Sequence, residues 1–317
     1  MPNLEKLVLA NYSNLRQLHP SIGNLKKLIL LDLEQCKELS CLPDKFEMES
    51  LEILNLSHCS KVKKVPKFLG DMKRLQKLLL ECTAIIELPS SIECLTGLNI
   101  LNLAGCKNLQ CLPNTICRLT LINNLALHKC SKFDKLPEDL GKIISLKMLT
   151  LGGTTIKELP SSVEFLISLR SLSLIDCKNF EVLPSTICSL KSLNEIYLSG
   201  CSKFVNLPDN LGNLEGLGML FLHRTAIEML PSSVGRLTAL ISLELKDCKN
   251  LMCLPNTIYS LSIYSLNLSG CSKIVYLPKD LGKMKGLQNL HLNGTSIKKL
   301  PSIKKLPFST IFHSKFI

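Results

Sequence analysis

Fifteen cysteines and six histidines are the residues here with the most conspicuous chemistry, as disulfide partners, metal ligands or nucleophiles. Their spacing argues against all three. Cys36, Cys59, Cys106, Cys130, Cys177, Cys201, Cys248 and Cys271 recur at one position of a repeated phrase, and Cys41, Cys111 and Cys253 share another. One small buried residue reused in every turn accounts for this, because free cysteine packs as a small hydrophobe. The odd total favours reduced thiols. Neither a C-x-x-C pair nor a histidine partner stands at ligand spacing, so no metal site and no cofactor are expected. His19, His58, His128, His223, His291 and His313 are scattered and join no catalytic motif with Ser or Cys. No catalytic residue is expected, and the chain does not read as an enzyme.

Other residue types point to binding. Glu195, Tyr197, Met219, Phe221, His223, Arg224, Glu244 and Lys246 cluster where most repeats place bland pairs such as Asn102 with Ala104 or Ser171 with Ser173. Aromatic and Arg side chains on an open face are common anchors of protein interfaces. A second set is basic: Lys107, Lys132, Lys178, Lys203, Lys249 and Lys273, with Lys37 and Lys61 before them, follow the repeat cysteines by one or two residues. Such a flank reads first as a solvated edge and next as a docking strip for an acidic protein surface. Nucleic acid is disfavoured as a partner, since no aromatic residues interleave with the lysines to stack on bases.

The elements that must position these residues are repeats. Prolines at 43, 66, 89, 113, 137, 160, 184, 208, 231, 255, 278 and 301 each follow Leu or Val, in steps of 23 or 24 residues. Each repeat carries an L-x-x-L-x-L triple such as Leu98-Leu101-Leu103 or Leu146-Leu149-Leu151. This pattern predicts an α/β solenoid, a leucine-rich repeat horseshoe of about 13 repeats. The last two leucines of a triple stand two apart and so share one strand face. Successive strands would form a parallel sheet on the concave side, with short helical or 3₁₀ turns after each Leu-Pro on the convex side. Proline is expected at the first position of those turns. Residues flanking the strand leucines, the binding cluster among them, would then face the concave surface.

A longer period is superimposed. Thr83, Thr154, Thr225 and Thr295, spaced 71, 71 and 70 residues apart, replace the repeat cysteine in every third copy, and those copies have a shorter loop. Duplication of a three-repeat block explains this. We expect one leucine-rich repeat domain over 1–300 and an irregular tail over 301–317. Neither end carries a polar capping unit, so a fragment or shortened product is expected. Aromatic residues make up 5% and Trp is absent, so Leu and Ile are expected to fill the interior. No apolar run approaches the roughly 20 residues of a membrane helix, and the first residues lack an apolar signal core, which predicts a cytoplasmic or nuclear protein.

The phrases LPSSI, CSKxxxLP and HPSIGNLKKLILLDLEQC resemble the repeat region of plant intracellular disease-resistance receptors with an N-terminal Toll/interleukin-receptor domain. The resemblance covers residues 1 to about 300. It implies a sensor that recognises a pathogen effector or a guarded host protein and restrains a nucleotide-binding switch domain. No G-x-x-x-x-G-K-[ST] loop occurs in this sequence, so nucleotide binding is not carried over. Two other readings stand beside it: a free-standing cytosolic scaffold for signalling proteins, and a cell-surface ectodomain. The second would make the N-x-[ST] matches at Asn11, Asn55, Asn267 and Asn293 meaningful, yet these coincide with the repeat pattern.

Overall fold

The structure, a computed structural model, describes residues 3–70 and 72–301. The tail expected after Pro301 lies outside the described residues. The chain divides into two compact units, Met1–Ile156 with Phe165–Leu169 and Lys157–Glu164 with Arg170–Ile317.

The first unit contains β1 (Lys6–Val8), β2 (Leu30–Asp32), β3 (Lys45–Phe46), β4 (Ile53–Asn55), β5 (Lys67–Phe68), β6 (Lys77–Leu79), β7 (Ile100–Asn102), β8 (Asn124–Ala126) and β9 (Met148–Thr150). The second contains β10 (Ser171–Ser173), β11 (Glu195–Tyr197), β12 (Met219–Phe221), β13 (Ser242–Glu244), β14 (Ser265–Asn267) and β15 (Asn289–His291). Neighbours pair in parallel and in register. Leu31, Leu54, Leu78, Leu101, Leu125 and Leu149 line up across the first unit. Leu172, Ile196, Leu220, Leu243, Leu266 and Leu290 do so across the second. The middle residue of each strand points inward, whereas its two neighbours stay at least partly open to solvent in nearly every repeat. One short parallel strand per 23–24 residues, with its leucines stacked on the next copy, makes this a leucine-rich repeat solenoid.

Behind the strands, 3₁₀ turns run over Ser90–Cys94, Asn114–Arg118, Ser185–Ser189, Ser232–Arg236 and Asn256–Ser260. Pro20 opens its turn, Pro20–Asn24, at the first position as expected, but for the later turns the position of proline needs a correction. Pro89, Pro113, Pro184, Pro231 and Pro255 stand one residue before the turn, in extended backbone, where each carbonyl accepts the first turn hydrogen bond. A second departure is local. After Pro43 and Pro66 the chain forms no 3₁₀ turn but the short parallel pair β3 and β5, with Phe46 beside Phe68. Both phenylalanines are fully buried, and bulky rings in place of the usual Ser-Ile fill the space there. Phe133, Phe180 and Phe204 are likewise buried completely, so aromatic rings share the interior with Leu and Ile.

The repeat cysteines form a hydrogen-bonded spine. The thiol of Cys59 donates to the Leu33 carbonyl at 3.1 Å, Cys130 to Leu103 at 3.1 Å, Cys201 to Leu174 at 3.1 Å and Cys271 to Leu245 at 3.1 Å. Each thiol therefore bonds back to the strand end of the preceding repeat. Threonine closes its own turn instead: the Thr83 hydroxyl donates to Leu80 at 2.8 Å and that of Thr225 to Leu222 at 2.7 Å. Cys106 and Cys248 of the following repeats still reach those two carbonyls. The alternation of Cys and Thr thus changes which repeat's strand-end carbonyl the side chain reaches, and the carbonyls of Leu80 and Leu222 accept from both residue types. Among the described residues no helix is long and apolar enough to cross a membrane.

Candidate functional site

The residues expected to bind lie wholly in the second unit and resolve into rows set by strand register. Glu195 pairs with Met219, and Tyr197 with Phe221 and then Glu244. All five stand on the open strand face, half-buried by their neighbours. The rings of Tyr197 and Phe221 stack with centroids 5.0 Å apart and planes 16° from parallel. Tyr197 Oη lies 3.9 Å from Met219 Sδ, tying the two rows together. Desolvation raises the Tyr197 hydroxyl above its ordinary pKa, and the neighbouring Glu195 carboxylate adds to the effect.

The other three members lie elsewhere. β12 ends at Phe221 and β13 at Glu244, so His223, Arg224 and Lys246 belong to the turns after the strands. Arg224 has a left-handed backbone, φ 58°, and its amide donates to the Lys246 carbonyl. The strand period does not register this step off the sheet. Arg224 instead lines a groove of about 440 Å³ with Ser202, Thr225, Asp247, Lys249 and Asn250, which places it on the same edge as one of the basic residues.

The basic flank is not one column. Lys107, Lys178 and Lys249 directly follow the cysteine, while Lys132, Lys203 and Lys273 come one residue later. Lys132 donates to Asn108 Oδ1 at 3.3 Å, and Lys61 to Glu38 at 2.7 Å. Lys203 lies 3.6 Å from Glu181. Each Thr repeat interrupts both rows. Exposed pairs of this kind contribute little to stability, about 0–1 kcal/mol each.

Two juxtapositions were not legible from spacing. Ser199 Oγ lies 2.9 Å from His223 Nδ1. A serine nucleophile needs access to a carbonyl, and Ser199 is only 3% exposed, so the pair serves to join adjacent turns. In the first unit, His58, Glu81 and Cys82 bring their ligand atoms within 4.8 Å of one another, against the expectation that no metal-ligating group would form. Aligning the repeats by their turn residue, Gln35, His58, Cys82 and Gly105, is the signal that would have found it.

Residues 47–136 match the family described as disease resistance protein RPS4B-like, leucine-rich repeats. TMV resistance protein N of Nicotiana glutinosa is 40% identical over 182 residues, covering 57% of this chain and 16% of that protein. Disease resistance protein RPS4B of Arabidopsis thaliana is 36% identical over 156 residues, covering 49% of this chain and 13% of its own. The chain therefore spans only a small part of the length of these curated relatives. Among solved structures, an internalin (inlF) from Listeria monocytogenes aligns with TM-score 0.52 over 98% of this chain and 88% of its own at 18% identity, a likeness of fold alone. The chain is a leucine-rich repeat protein, and its repeats are similar to those of plant disease-resistance proteins such as TMV resistance protein N and RPS4B.

Proposed function

We propose that this chain is a protein-recognition module of a plant immune receptor, that its partner is a pathogen effector or a guarded host protein, and that it also restrains a switch domain. The supporting observation is the stacked pair Tyr197–Phe221 on the open strand face, edged by Met219, Glu195 and Glu244. In β8, β10 and β14 the same two rows carry only Asn, Ala or Ser, which offer little area to a partner, and no other pair of described strands brings two aromatic rings together on this face. Two rings already held against each other lose little side-chain freedom on binding, which suits them as anchors. The carboxylates at either side favour a partner that presents Lys or Arg around an apolar centre. A cytoplasmic or nuclear setting goes with this role.

The experiment is proximity labelling in pathogen-challenged plant tissue with the wild-type chain and a Tyr197→Ala/Phe221→Ala variant, followed by titration of each captured protein against both purified forms. A partner bound at least tenfold more tightly by the wild type supports the reading, a difference of about 1.4 kcal/mol. Equal binding of every captured protein by both forms removes it.

A further inference from the structure

The His58–Glu81–Cys82 group belongs to the first unit and is no part of the rows on β11 to β13. His58 and Cys82 occupy the left-handed turn position of consecutive repeats, at φ 63° and 56°. Their backbones are held by interstrand bonds, His58 N–H to Glu81 O at 2.6 Å and Cys82 N–H to Ala104 O at 2.8 Å. Both side chains therefore leave the same edge of the solenoid, one coil apart, with Glu81 directly before Cys82 in sequence and its carboxylate within 4.8 Å of both. All three are partly open to solvent.

Two further features shape the group. Glu81 Oε2 accepts from Asn102 Nδ2 at 3.2 Å, and a hydrogen bond of this kind holds a ligating carboxylate in its orientation. The next turn residue is Gly105, and a Cβ there would come within 2.7 Å of Cys82 Sγ. Glycine leaves the room the thiol occupies.

We propose that His58, Glu81 and Cys82 form a zinc site that clips two successive repeats together. Imidazole nitrogen, thiolate sulfur and carboxylate oxygen are all common ligands of Zn²⁺, and three protein ligands leave the fourth tetrahedral position to water. The donor atoms lie within 4.8 Å, and bonds of about 2.0–2.3 Å draw them together by roughly an ångström, which side-chain rotation supplies. Binding displaces the thiol proton, and the thiolate and carboxylate together balance the charge of the ion. Because the ligands come from two coils, the ion binds the folded chain and not the unfolded one, and so stabilises it.

The test uses the full chain, stripped with a chelator and titrated with Co²⁺ as a spectroscopic probe. The expected result is a thiolate-to-cobalt charge-transfer band that saturates at one equivalent and is displaced by Zn²⁺. Cys82→Ser and His58→Asn should each abolish it, with asparagine chosen because it tolerates the left-handed turn. A readout without variants is alkylation followed by mass spectrometry: Zn²⁺ should slow modification of Cys82 by about tenfold and leave exposed Cys41 and Cys111 unchanged. Absence of the band, its persistence in both variants, or equal alkylation of Cys82 with and without Zn²⁺ overturns the proposal.

Discussion

Tyr197 and Phe221 occupy equivalent positions of adjacent strands, and their rings stack across β11 and β12 with centroids 5.0 Å apart. The contact follows from register alone, since in-register parallel strands hold equivalent residues about 4.8 Å apart. An aromatic residue repeated at one position of two copies must therefore stack or splay. Here the rings stack, leaving an amphipathic ledge with Glu195 and Glu244 at its rim.

Truncating that ledge should separate binding from folding. Phe221→Ala removes a half-exposed ring and leaves buried Leu220 and Leu222 in place. The expected outcome is at least tenfold weaker partner binding with a thermal midpoint within a few degrees of wild type. Calorimetric titration beside a melting curve checks both halves.

Leu149 is expected to behave oppositely. It is fully buried at the centre of β9, in register with Leu125. Leu149→Ala leaves a cavity that its stacked neighbours close only in part, at a cost of about 2–5 kcal/mol. Urea denaturation followed by circular dichroism would show the loss, and a midpoint equal to wild type would contradict the stacked core.

The Thr repeats offer a smaller, chemically defined change. Thr225→Val keeps the shape and removes the hydroxyl that donates to Leu222 O at 2.7 Å and lies 3.4 Å from Cys248 Sγ. Because Cys248 also donates to that carbonyl, the carbonyl remains satisfied, and the expected cost is about 0.5–1.5 kcal/mol. A Thr225→Cys variant should recover little of this, since the six-residue loop of the Thr repeats is one residue shorter than that of the Cys repeats.

Thiol ionisation ties stability to alkaline pH. Burial pushes Cys59, Cys130 and Cys271 up to about 12 from an ordinary 9.0. The unfolded chain ionises these thiols first. Their contribution is therefore full below pH 9 and is lost as pH rises from there towards 12. Denaturation midpoints should decline across that window, and Cys59→Ala should flatten the slope. At neutral pH a thiol reagent should modify Cys41 and Cys111 rapidly and the spine cysteines only after unfolding.

The repeat, the strand leucines and the buried cysteine position were legible in the amino-acid order because each is set by periodicity. A residue such as Leu149 points inward whenever its strand is built, and every copy of the phrase repeats that instruction. Periodicity likewise marked Tyr197 and Phe221 as outward-facing. Where the strands stop was not legible, so Arg224 and Lys246 were placed on the sheet although they belong to turns. Phe46 and Phe68 replaced a 3₁₀ turn by a strand pair because ring volume, not pattern, governs how that side of the coil fills.

What the sequence by itself determined is the coil, its pitch and which side chains it hides, since these follow from local alternation repeated many times. What only the tertiary structure decided is which unlike residues, one repeat apart, come to lie side by side. His58, Glu81 and Cys82 meet because the left-handed turn points successive side chains along one edge. That direction depends on backbone dihedrals and rotamers selected by packing, which a period of 23 or 24 residues does not encode.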